Sequence, residues 1–183
     1  MSIELEARDL QWIKGDKDDP GDHCVHGRVS FRVNETVFVE PNEIWTLSAS
    51  ALYLLRTLED GHTDRDEVTQ RNYLFPCCGF NVWPSNTGKY QVYILGCSNG
   101  IDVHVLLQNN LVTLQSLDGK SETVSFVDWV NAVLCFADEI MAFYRNCSPK
   151  LEHRDDHDRI GWAEFWKEWD YRRNKTYTTL GRS

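Results

Sequence analysis

Between Asn72 and Phe126 the chain is broken at short, even intervals by turn dipeptides, and that spacing constrains its fold more than any other feature. Ser98-Asn99-Gly100, Asn109-Asn110 and Asp118-Gly119 separate the β-rich runs Tyr90 to Leu95, Ile101 to Gln108, Leu111 to Ser116 and Glu122 to Phe126. Asn, Asp and Gly tolerate the positive φ that tight hairpin turns require. A unit of about ten residues per strand and turn fits an antiparallel meander. Tyr73 to Trp83 reads as an earlier strand, interrupted at Cys77-Cys78, with Asn86-Thr87-Gly88-Lys89 as the turn that follows it.

The N-terminal part carries the same signature. Ile3 to Ile13 alternates apolar and polar residues, with Ile3, Leu5 and Ala7 on one face, until the phase slips near Leu10 and Trp12; this predicts a strand with a bulge. Val25, Val29, Phe31 and Val33 lead through Asn34-Glu35 into Thr36 to Val39, a hairpin pattern. Gly15 to Asp22 is too polar and too rich in breakers to be other than loop, and Asp60 to Gln70 reads as a mobile one.

Helical signals occur three times. Ser48 is a candidate N-cap for Ala49 to Glu59, whose Leu47, Ala51, Leu54, Leu55 and Leu58 form an apolar stripe. Ser125 with Asp128 three residues on opens a second helix to about Arg145, apolar nearly all round between Val130 and Ala137 and so expected to be central, with Cys135 inside it. After a charged connector, Glu152 to Arg159, a third helix spans Ile160 to Arg173. It places Trp162, Phe165, Trp166 and Trp169 on one aromatic face and Glu164, Lys167, Glu168, Arg172 and Arg173 on the others. The expected fold is therefore α+β: a curved antiparallel β-sheet of meander and hairpins, with one inserted helix and two C-terminal helices. No repeat or linker divides it, so residues 1–174 are expected to form a single domain, and 175–183 a frayed tail.

Composition narrows the function classes. A net charge of −9 argues against a nucleic-acid binder, which must neutralise phosphates with Lys and Arg. No apolar run approaches the length needed to span a bilayer, and the N-terminus lacks a signal-peptide pattern, so no membrane partner and a cytoplasmic setting are expected. There the six cysteines are expected to be thiols rather than disulfides. The serine-hydrolase elbow, the phosphate-binding loop and the dinucleotide fingerprint are all missing from the sequence, so no cofactor is expected.

Two constellations remain. Cys and His gather at His23-Cys24-Val25-His26, at Pro76-Cys77-Cys78-Gly79 and at Gly96-Cys97 followed by His104. His23, Cys24, His26, Cys77, Cys78 and Cys97 are candidate metal ligands, although no spacing matches a zinc signature. Adjacent cysteines on a regular strand point to opposite faces, so Cys77 and Cys78 can share an ion only across a kink, which Pro76 and Gly79 could supply. Regular alternation would likewise separate His23 from His26. Cys97, with His104 or His26 as base, is a candidate nucleophile; the blander alternative is that the thiols fill the core.

The second constellation is acidic: Asp16, Asp18, Asp19 and Asp22 in one loop, Asp155, Asp156 and Asp158 in another. Neither has the ligand order of a calcium loop. Acidic loops can instead steer a basic protein into contact. In size and charge the chain is similar to small acidic inhibitors and bacterial-type immunity proteins as a class. A module that covers a basic partner is accordingly the first expectation, and a metal- or thiol-dependent enzyme or zinc-binding domain the second.

Overall fold

Short turns set the topology. In the computed structural model, which describes residues 2–15, 18–62, 68–69, 71–86, 88, 90–101 and 103–179, the fold is α+β, with antiparallel sheets and three helices. Strands β1 (Ile3–Gln11), β2 (His26–Val33) and β3 (Thr36–Val39) pair in that order, and the two-residue β4 (Trp45–Thr46) joins β2. The expected slip in β1 falls between Arg8 and Gln11, where Asp9 takes a φ of 52°. That bulge carries Trp12 into the core.

After α1 (Leu47–Arg56) the meander is less continuous than its spacing suggests. It forms a two-stranded pair of β5 (Phe75–Pro76) with β8 (Gly100–Ile101), and a hairpin of β6 (Asn81–Pro84) with β7 (Val92–Leu95). Strands β9 (Val103–Gln108), β10 (Leu111–Ser116) and β11 (Ser121–Ser125) complete a separate three-stranded sheet. The β9–β10 turn places Asn109 and Asn110 at φ of 51° and 63°, and the next turn places Gly119 at 88°. These are the left-handed conformations their residue types favour.

Ser125 caps α2 (Phe126–Arg145) as its sequence suggests, its hydroxyl accepting the Asp128 N–H. Helix α2 packs on β1 and α1, burying Trp129, Val130, Val133, Phe136 and Ile140. It is not buried all round: Cys135 lies on its exposed side. Helix α1 departs in the opposite sense, because every residue from Leu47 to Arg56 is buried.

Helix α3 (Asp156–Thr179) begins inside the expected charged connector and continues past Arg173, while residues 180–183 lie outside the described set. Its aromatic face packs inward, with Phe165 and Trp169 fully buried. It approaches β6 at Gly161, where a Cβ would stand 1.8 Å from the Val82 carbonyl oxygen.

Glu168, grouped by pattern with the outer charged residues, is 1% exposed. Its carboxylate accepts Arg56 Nε at 2.8 Å, Arg56 Nη2 at 2.9 Å and Arg172 Nε at 2.8 Å. It also accepts the backbone N–H groups of Gln91 at 2.9 Å and Val92 at 3.2 Å. One carboxylate thus ties α1, α3 and the start of β7 together. Burial alone would push its pKa up, but the hydrogen bonds and charges of Arg56 and Arg172 hold it below the ordinary glutamate value.

Candidate functional site: a three-cysteine cluster

The β5–β8 pair is only two residues long, and what it does is bring two loops together. Pairing of Pro76 with Gly100 continues one step, to a Cys77 N–H donated to the Asn99 carbonyl at 3.0 Å, and then the strand ends in a bend at Cys77. Because regular alternation stops there, Cys77 and Cys78 are not forced to opposite faces. The kink that Pro76 and Gly79 made conceivable is present.

Contacts from three sides hold the bend. Thr46, at the N-cap of α1, makes no side-chain cap; its hydroxyl donates to the Cys77 carbonyl at 2.9 Å. A Cβ on Gly79 would lie 2.6 Å from the Ala49 Cβ, so only glycine lets the loop lie this close to α1. Opposite it, Gly100 leaves room for the Tyr73 ring, which would sit 2.2 Å from an added Cβ, and the Tyr73 hydroxyl donates to the Ser98 carbonyl.

The result is a cluster of sulfur atoms. Cys77, Cys78 and Cys97 place their Sγ atoms within 4.8 Å of one another, and all three side chains are partly accessible. The Cys78 and Cys77 sulfurs are 4.0 Å apart. Three thiolates bound to one ion at about 2.3 Å would stand about 3.8–4.0 Å apart, so the cluster needs only a small contraction to close on a metal.

Its electrostatics are uneven. Hydrogen bonding from the Asn99 backbone, and then from the Cys78 and Cys77 thiols, holds Cys97 below the ordinary thiol value. Burial and the neighbouring sulfurs push Cys78 up to about 12. Negative charge therefore settles on Cys97 in preference to Cys78.

The other Cys and His candidates are placed elsewhere. Cys24 is buried, its thiol donating to the Gly79 carbonyl at 3.8 Å, and burial pushes its pKa far up, as expected of a core thiol. His26 opens β2 opposite Thr46, and burial depresses its pKa. His23 shares a hydrogen bond with the Leu151 carbonyl at 2.9 Å and lies against His153 in a tilted ring pair with 3.9 Å between centroids. His104 stacks on His62 at 5.5 Å. Among the described residues, the grouping of possible metal ligands contains the three cysteines and no imidazole. The expected Cys97–His104 and Cys97–His26 pairings are not part of it.

The acidic loops are occupied in building the fold. Asp18 accepts the Ser148 N–H at 2.7 Å, Asp19 pairs with Lys14 at 2.8 Å, and Asp22 accepts the N–H groups of Ile13 and Cys24. Asp155 accepts the N–H groups of His157 and Asp158 at the start of α3, Asp156 pairs with Arg159, and Asp158 accepts the Trp83 indole N–H. Asp16 lies outside the described residues, as do residues 63–67 and 70 of the expected loop from Asp60 to Gln70.

Sequence reasoning missed the Arg56–Glu168–Arg172 network and a cavity of about 310 Å³ beside it, lined in part by Tyr53, Arg56, His62, Arg71 and Tyr90. The Arg56 guanidinium there is already engaged by Glu168. No described helix is long and apolar enough to cross a membrane. No protein-family model matches the chain, and no curated protein or solved structure shows a significant similarity to it.

Proposed function

We propose that the chain works through Cys77, Cys78 and Cys97 as a thiolate centre for a thiophilic metal ion, zinc in the first instance. One observation carries the reading: three sulfurs from two separate loops converge within 4.8 Å at an accessible position. Core cysteines used as apolar filler have no reason to converge in this way. Three protein ligands leave the fourth position of a tetrahedral zinc to water or an incoming group, which is the arrangement of catalytic rather than closed structural sites. Cys97 gives up its proton more readily than Cys78, and metal binding displaces the thiol protons that remain.

The basic-partner reading has the net charge of −9 in its favour. It draws less from the acidic loops, whose carboxylates are engaged in tying segments of the chain together.

Zinc titration against a chromophoric chelator tests the proposal. Wild-type protein should take up one equivalent, and Cys97→Ser and Cys78→Ser should each weaken uptake at least tenfold while leaving the fold intact by circular dichroism. Equal uptake by wild type and both variants would refute it.

A further inference from the structure

We infer that the same cluster is an oxidation site, where a hydroperoxide closes a disulfide between Cys97 and the Cys77–Cys78 pair and so locks the β5 and β8 loops together. The inference rests on the reading of the three thiols as one centre and adds its regulation.

Geometry selects the cross-loop bond. Cys77 and Cys78 are sequence neighbours, so their Cα atoms are about 3.8 Å apart across a trans peptide. An unstrained disulfide spans about 4.4–6.8 Å between Cα atoms, so a bond between these two would strain the eight-membered ring that contains their peptide. Cys97 approaches from the other loop, its sulfur within 4.8 Å of both. Backbone pairing at Cys77 N–H to Asn99 O holds the two loops in register while the sulfurs close the remaining gap.

The chemistry balances in two steps. A cluster thiolate attacks one peroxide oxygen; the O–O bond breaks, the sulfur is oxidised to a sulfenic acid and hydroxide leaves (for an alkyl peroxide, alkoxide). A thiolate from the opposite loop then attacks the sulfenic sulfur, forming the S–S bond, and the departing hydroxide takes up a proton to leave as water. The peroxide takes two electrons, and two of the three thiols are consumed. A centre reduced to one thiol cannot hold zinc, so oxidation releases the metal and bound metal shields the thiols.

Peptide mapping gives a direct test on the full chain, stripped of metal. After treatment with hydrogen peroxide, acid quench, alkylation of free thiols and tryptic digestion, cleavage after Arg71, Lys89 and Lys120 places Cys77 and Cys78 in residues 72–89 and Cys97 in residues 90–120. The expected product is those two peptides joined, with one alkylated cysteine left in 72–89, and no joined product from Cys97→Ser. A loss of two hydrogens confined to peptide 72–89, with Cys97 alkylated, would overturn the inference, as would three free thiols or Cys97 oxidised without a link. Zinc uptake is measured separately on untreated protein. Joined peptides without zinc uptake would refute the metal reading alone; zinc uptake without joined peptides would refute the disulfide alone.

Discussion

Removing the Glu168 carboxylate should be among the most damaging single changes this fold can suffer. Glu168→Ala leaves Arg56 and Arg172, whose side chains are 7% and 5% exposed, without the anion between them. Breaking a buried ion pair from one side costs about 3–5 kcal/mol. The N–H groups of Gln91 and Val92 lose their acceptor as well, at about 1–3 kcal/mol for a buried donor. These losses share one carboxylate and do not simply add, so about 4–6 kcal/mol is expected, a large part of the roughly 5–15 kcal/mol typical of a domain. Glu168→Gln keeps an acceptor but not the charge and should lose about 2–4 kcal/mol. Because the folded pKa of Glu168 is depressed, its contribution is full above the unfolded value and is lost as pH falls through the folded one. The difference between wild type and Glu168→Gln should therefore narrow in acid. Urea unfolding followed by tryptophan fluorescence measures both effects. A loss below about 1 kcal/mol for Glu168→Ala, at unchanged m value, would show that the network contributes little.

Three further outcomes follow from the same structure. His23, half-buried against the His153 ring, and His26, half-buried at the start of β2, both have pKa values depressed chiefly by desolvation. The unfolded chain therefore binds more protons below pH 6.5, so stability should be full above that value, fall beneath it and level off below the folded values. His23→Gln and His26→Gln should each flatten urea midpoints compared between about pH 7.5 and 5.5; equal slopes in all three proteins would contradict this. Gly161→Ala sets a methyl against the Val82 backbone, which cannot rotate away as a side chain could, and should cost at least about 1–3 kcal/mol in the same unfolding assay. In folded protein stripped of metal an aromatic disulfide reagent should reach Cys97 early and Cys24 only after denaturation; early labelling of Cys24 would contradict its place in the core.

Where a local rule decides the structure, the sequence is readable. Asn109-Asn110 and Asp118-Gly119 turn where their φ preferences allow, the bulge near Leu10 is visible as a phase slip, and Ser125 caps α2 by its own chemistry. Reading fails where a distant partner decides. Ser48 looks like the cap of α1, yet the chain enters the helix at Thr46, whose hydroxyl is directed to Cys77. Glu168 looks like a surface residue of α3, because nothing in its neighbourhood announces Arg56 on α1. The site divides in the same way: Cys77, Cys78 and Cys97 stand out by residue type, but strand alternation argues against their meeting. Only the early end of β5 lets them meet, and the same topology sends His23, His26 and His104 to other neighbours.

The central claim stands on what occupies the cluster. Protein purified untagged and without chelator should carry one zinc per chain by elemental analysis, with Cys77, Cys78 and Cys97 protected from alkylation until the metal is removed. A metal-free protein whose three cluster thiols alkylate freely in the native state, and which takes up no added zinc, would contradict the account.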